Sequence, residues 1–139
     1  MTPFLLLLAL LGHLPAQPRA VTITVRLQSV RPDKGGLLRV ALHREPGSGF
    51  PGPSSLANVN ARAASTESVV TFDAMPGVYA VAVHHDANAN GKMDSNFMGI
   101  PKEGYGMSND PRPRFRAPLF SEARVVISRD TTLTVRMAY

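Results

Sequence analysis

The 139-residue chain contains no cysteine. That excludes disulfide staples, thiolate metal sites, a cysteine nucleophile and the lipid-linked N-terminal cysteine of ordinary lipoproteins. Acidic residues are few, 10 against 15 lysines and arginines, so the formal net charge is +5. Helical periodicity is nearly absent, which excludes a helix bundle and leaves no recognition helix for nucleic acid. No G-x-S-x-G elbow and no phosphate-cradling glycine loop occurs, so the commonest hydrolase and nucleotide-binding signatures are missing. Nothing beyond the N-terminus is long and apolar enough to cross a bilayer, which takes about 20 residues.

One apolar run does exist, Phe4 to Leu11 in "MTPFLLLLALLGHLPA". It is too short to span and matches the apolar centre of a secretory signal peptide. The expectation is a signal peptide over residues 1–16, cleaved after Ala16 or as late as Ala20. Residues 17–139 then form one exported domain, periplasmic or extracellular. That length suffices for one core burying roughly two thirds of the unfolded surface. Without cysteine, such a domain must hold itself by packing or by a metal. Twelve of the fifteen positive residues are arginines, and most stand singly along alternating segments, as on a solvated face. The one cluster is "RPRFR", Arg112 to Arg116.

The pattern that is present alternates. "VTITVRLQSV" sets Val21, Ile23, Val25 and Leu27 against Thr22, Thr24, Arg26 and Gln28, which predicts a half-buried strand. "RPDKGG" reads as a turn, and "LLRVALHR" as a strand with Leu38, Val40 and Leu42 inward. "EPGSGFPGPSS" carries three prolines and three glycines and is a loop. "NVNARA" and "SVVTF" are short strands, and "DAMPG" is a tight turn. "VYAVAVHH" is apolar on both faces and therefore central in its sheet. "LFSEARVVIS" and "TTLTVRMAY" are expected to pair as a hairpin around Arg129-Asp130. About seven short strands with frequent turns predict an all-β fold, a single antiparallel β-sandwich with one long ordered loop.

That loop, Asp86 to Ala117, has no strand pattern. Loops of this length in a compact domain are either functional or a sign of misassignment. It opens with "HDANANGKMD", His85 to Asp94. Asp86, Asn88 and Asn90 fall at alternate positions, followed by Gly91, the backbone of Lys92, and Asp94. This matches the first nine positions of a helix-flanked calcium loop. The match stops at the twelfth position, where a bidentate acid should stand and Phe97 does. A strand also feeds the loop, rather than a helix. A calcium site here needs a ligand from elsewhere, and Glu103 is the best candidate, with Asn96 and Asn109 behind it. The metal set is therefore Asp86, Asn88, Asn90, Lys92, Asp94 and Glu103. The competing reading needs no ion: "DANANG" also makes a chain of Asx-turns.

His84 and His85 end the central strand and face opposite ways, so one of them lines a site beside Asp86. Zinc would want three or four nitrogen or sulfur ligands, which this chain does not group in sequence. Asp86, Asp94, Glu103 and His85 are the candidates for a hydrolase, the alternative to a non-catalytic module. His85, Phe97, Tyr105 and Asn109 are the candidates for binding. The expected partners are an envelope protein or a glycan, with no role for nucleic acid.

Together, "HHDANANGKMDSNFMGIPKEGYGMSND" and "FRAPLFSEARVVI" resemble an exported bacterial family, domain-of-unknown-function family 2141. Its pattern is H-D-x-N-x-N-G-x-x-D, then G-x-P-x-E-G-Y-G-x-S, then P-x-F-x-x-A. These stand here as His85 to Asp94, Gly99 to Ser108, and Pro118 to Ala123. With the "PGVYAVAV" lead-in, the likeness runs from about Val21 to the C-terminus. It implies export and a sandwich similar to transthyretin-like and carboxypeptidase-regulatory domains, in which a P-G-x-Y turn opens a core strand. It brings no activity with it. Two departures stand out: alanines at spacer positions 87 and 89, and a long basic "NDPRPRFR". Non-catalytic binding at the cell envelope, with calcium stabilising the loop, is the function expected; a purely structural envelope protein is the third option.

Overall fold

The computed structural model describes residues 15–139, so the signal-peptide expectation lies almost wholly outside the described residues. The fold is a β-sandwich of eight strands among the described residues, one more than the periodicity predicts. They are β1 (Val21–Gln28), β2 (Leu37–Arg44), β3 (Ala57–Arg62), β4 (Ser68–Ala74), β5 (Gly77–Asp86), β6 (Gly104–Met107), β7 (Val125–Ile127) and β8 (Thr131–Arg136). One short helix, α1 (Phe120–Ala123), and a 3-10 turn at Pro32–Lys34 complete the set.

One sheet has the order β4-β1-β8. The other runs β3-β2-β5-β6, with β7 on the same edge of β5 as β6 but nearer its start. Between the sheets lie Ile23, Val25 and Leu27 of β1, Leu38, Val40 and Leu42 of β2, and Tyr79, Val81 and Val83 of β5. Burying each such side chain is worth about 1.5–3 kcal/mol. The outer face of β5 is covered too. Ala80 and Ala82 pack with Met107 and Ala123, flanked by Phe50, Tyr105 and Phe120. That second layer is why β5 reads apolar on both faces, as the sequence predicts.

Three expectations need correction. The expected hairpin of β7 and β8 does not form: β7 pairs with β5, and β8 pairs with β1 in the opposite sheet. Neither Arg129 nor Asp130 has the positive φ that a two-residue hairpin turn needs. Asp130 instead accepts the Thr22 N–H at 2.8 Å and ties the crossing to β1. The sandwich is not wholly antiparallel, because that crossing lays β8 parallel to β1. Finally, the long loop contains a strand after all. β6 is built on "GYGM" and pairs with β5 from Ala82 to His85. Its glycines hide it from pattern reading and have a packing reason. A Cβ on Gly104 would overlap the Tyr139 ring, and one on Gly106 would meet the Arg136 carbonyl at 2.8 Å. Close approach lets Tyr105 and Ala138 exchange backbone bonds of 2.9 and 2.8 Å, joining the two sheets at this end.

Candidate functional site

Side chains alternate along a strand, so His84 and Asp86 share one face of β5 and His85 takes the other. Arg39 of β2 lies opposite His84, one diagonal step from Asp86. On the other edge, His85 pairs with Gly104, and the next residue outward is Glu103. Strand register alone therefore gathers Arg39, His84, Asp86 and Glu103.

Asp86 is fully buried. Its Oδ2 accepts from Arg39 Nε at 2.6 Å and from the Gly91 N–H at 2.8 Å, and its Oδ1 accepts from the Asn90 N–H at 3.0 Å. Burial by itself would raise the pKa of this carboxyl. The Arg39 hydrogen bond, the two backbone N–H groups and the Arg39 charge outweigh burial and hold it below the ordinary 3.8. Glu103, also buried, accepts the Ala87 N–H at 2.9 Å on Oε1, with the Asp94 N–H at 3.1 Å and His84 Nε2 at 2.7 Å on Oε2. A carboxylate accepts only, so His84 presents its Nε2–H. Glu103 thus clamps both ends of the Ala87–Asp94 turn, while Asp86 holds its middle. Gly36 makes the seat: a Cβ there would collide with the Asp86 and Ala87 backbone.

The remaining polar residues of the turn bond to one another. Asn90 donates its N–H to Asn88 Oδ1 at 3.2 Å, and Lys92 donates its N–H to Asn90 Oδ1 at 2.9 Å. The amide groups of Asn88 and Asn90 reach the Asp94 carboxylate at 2.6–3.2 Å. These are the Asx-turns that the sequence admits as an alternative to an ion. Among the described residues, His84, Asp86 and Glu103 bring ligand-type atoms within 4.8 Å of one another. Each carboxylate there already has three protein donors.

Beyond Asp94 the chain forms a small finger. Lys102 N–H bonds the Asp94 carbonyl at 2.8 Å, Ser95 bridges Pro101, and Asn96 N–H bonds the Ile100 carbonyl at 2.9 Å. A turn closes the tip, with Gly99 N–H on the Asn96 carbonyl at 2.9 Å. Asn96 Oδ1 also accepts the N–H groups of Met98 and Ile100 at 2.9 and 3.0 Å. The tip presents Phe97 at 97 % exposure, Met98 at 69 % and Ile100 at 54 %.

The sequence-predicted residues are only partly gathered. Asp86, Asn88, Asn90, Lys92, Asp94 and Glu103 form one connected network, and Phe97 tops the finger. His85 is elsewhere, fully buried between the Tyr139 hydroxyl and the Gly35 carbonyl, each at 2.6 Å. The histidine beside Asp86 is His84, as parity along β5 requires. Tyr105 is half-buried under the Arg112 guanidinium, 5.5 Å from its ring centre, and is not an open platform. Asn109 donates to the Arg124 carbonyl at 2.8 Å and pins the exit from α1. Sequence reasoning missed Arg39 and Tyr139, which lie 47 and 54 positions from their partners and leave no local signal.

Residues 25–135 match the family model described as "Uncharacterized protein conserved in bacteria (DUF2141)". The chain belongs to this family. The matched span includes the whole network and the finger, in line with the three motifs that carried the resemblance. No curated protein and no solved structure matches the chain.

Proposed function

We infer that this protein is an exported, non-catalytic binding module of the cell envelope, and that the Asp94–Lys102 finger is its contact element. The observation that carries this is the exposure of Phe97 and Met98 on a turn held by five hydrogen bonds. Large apolar side chains exposed together mark interaction sites. A tip already fixed in shape loses little conformational entropy on binding. Export rests on the apolar N-terminal run. The hydrolase alternative draws less support, since Asp86 and Glu103 are buried and engaged by three donors each, and His85 is remote. A purely structural role leaves the outward Phe97 without a purpose.

The test is fractionation of cells producing the wild type and a Phe97→Ser/Met98→Ser variant, with N-terminal sequencing of the product. The expected result is a shortened chain in the envelope fraction, released into the soluble fraction by the variant at unchanged melting temperature. A cytoplasmic chain would sink export. Equal retention of both forms would sink the finger as contact element.

Calcium is a second reading, carried by the convergence of Asn88, Asn90 and Asp94. Turning the two amides over would offer their oxygens beside the Asp94 carboxylate, with the loss of two Asx-turn bonds. Calcium at 100 times its dissociation constant would then stabilise the fold by about 2.7 kcal/mol. Thermal unfolding of chelator-stripped protein with and without calcium decides it, with Asp94→Ala as the control that must lose the shift.

A further inference from the structure

We propose that the finger docks on an anionic phospholipid surface, inserting Phe97, Met98 and Ile100 into the headgroup boundary while Lys92 and Lys102 meet the lipid charge. This rests on the finger being the contact element. It adds the partner.

Shape argues first. A specific protein interface covers roughly 800 Å² on each side. The finger offers three exposed apolar side chains on a single narrow turn, with the partly exposed Met93 just before its base. Such a tip is too small to bind a protein alone, but suits burial by about 5–10 Å at a bilayer boundary. Chemistry argues against a glycan. A sugar needs several free donors and acceptors beside the aromatic ring, and the Asn96 side-chain oxygen is already taken by two backbone N–H groups, which leaves that residue only its Nδ2.

Charge argues for anionic lipid. Residues 95–101 read "SNFMGIP" and contain no carboxylate. The carboxylate at the base, Asp94, is turned onto the amides of Asn88 and Asn90. Of the three lysines in the chain, two flank the finger, Lys92 and Lys102, and both are exposed. Their flexible ammonium groups suit diffuse attraction to a charged surface, each strengthening attachment about fivefold. The Asp86 and Glu103 network has a role in this scheme: it sets the direction in which the finger points.

The chain has no tryptophan, so Phe97→Trp gives one indole at the tip and none elsewhere. Its emission reports insertion of the finger and ignores whatever the N-terminal run does. The full chain would be titrated with vesicles of phosphatidylcholine alone and of phosphatidylcholine and phosphatidylglycerol in equal parts. The expected result is a blue shift on the mixed vesicles, quenched by brominated acyl chains and much weaker on the neutral ones. Lys92→Gln and Lys102→Gln should each weaken it about fivefold, and Met98→Ser should weaken it further, all at unchanged melting temperature. Emission that stays that of a water-exposed indole overturns the proposal. A shift equal on neutral and mixed vesicles overturns the anionic assignment. A shift with isolated envelope polysaccharide or protein but not with vesicles also overturns lipid docking, and leaves the finger standing as a contact element.

Discussion

Strand β5 has two halves, both largely buried and differently built. From Tyr79 to Val83 the inward side chains belong to the apolar core, and Ala80 and Ala82 pack outward under α1 and β6. At the other end His85 and Asp86 are just as buried and His84 is partly so, yet all three are held by hydrogen bonds to Glu103, Tyr139, Gly35 and Arg39. Apolar packing is non-directional and tolerates substitution at constant volume. A buried carboxylate is directional and fails when one partner is lost. The first half makes the fold; the second aims a loop.

The largest expected effect breaks that contrast most directly. Asp86→Leu keeps the branching of the side chain but puts bulkier methyls in place of the oxygens, and leaves Arg39 and two backbone N–H groups unpaired. It should cost about 3 kcal/mol, the lower end for a buried pair because the Arg39 side chain is 33 % exposed and can turn to water. Leu42→Met, a swap of similar size in the core, should cost under about 1.5 kcal/mol. Equilibrium denaturation of both variants gives the comparison, and equal losses would show that the two halves are not different in kind.

Next in size is Glu103→Gln, at about 1.5–3 kcal/mol for weakened bonds to a charged acceptor. The more telling readout is local. Hydrogen exchange at the Ala87 and Asp94 amides should rise sharply, while Tyr79 to Val83 stay protected. Uniform loss along β5 would mean that Glu103 supports the core and not the turn.

Beside the apolar half, on the neighbouring strand β2, sits a polar weakness opposite Ala80. His43 is buried against Phe50, ring centres 5.0 Å apart, and neither ring nitrogen has a hydrogen-bond partner of good geometry. Burial lowers its pKa below 6.5, opposed in part by the Ser54 backbone. The unfolded chain therefore binds this proton first. Stability is full above 6.5 and falls as pH drops from 6.5 toward the lowered folded value. Denaturant midpoints through that window should decline for the wild type and stay flatter for His43→Phe.

The smallest effect lies at the surface. Glu122 caps the Leu119 N–H at 2.8 Å and pairs with Arg116 at 2.7 Å. The Arg116 hydrogen bond, then the Leu119 N–H, lower its pKa from 4.5 to about 2 against the effect of burial. Its contribution is present above 4.5 and disappears as pH falls toward about 2. Glu122→Gln should barely move the melting temperature at neutral pH and should slightly flatten the acid limb. A large loss at neutrality would place this exposed pair on a par with the buried one.

Much of the fold was legible because alternation records burial. Val21, Ile23, Val25 and Leu27, and Leu38, Val40 and Leu42, face inward as read, and β5 is central for the reason its two apolar faces suggest. Partner choice was not legible, because a strand with one apolar face packs equally well beside several neighbours. Hence the missed crossing from β7 to β8, and the missed β6, whose glycines carry no apolar signal. At the site, "HDANANGKMD" disclosed a polar turn and its self-bonding asparagines. Glu103 was legible as reaching this turn from elsewhere, but not as the carboxylate that clamps its backbone N–H groups, and the finger was not legible at all.

The sequence by itself determined the all-β character, the inward residues of the longer strands and the chemistry of the Asp86–Asp94 turn, since these depend on near neighbours and on backbone geometry. Tertiary structure decided that Glu103 joins His84 and Asp86, that Arg39 neutralises Asp86, and that Tyr139 closes over His85. Those choices depend on strand register between residues 16 to 54 positions apart. Only the packed sheets, by excluding water from this end of β5, make such bonds obligatory.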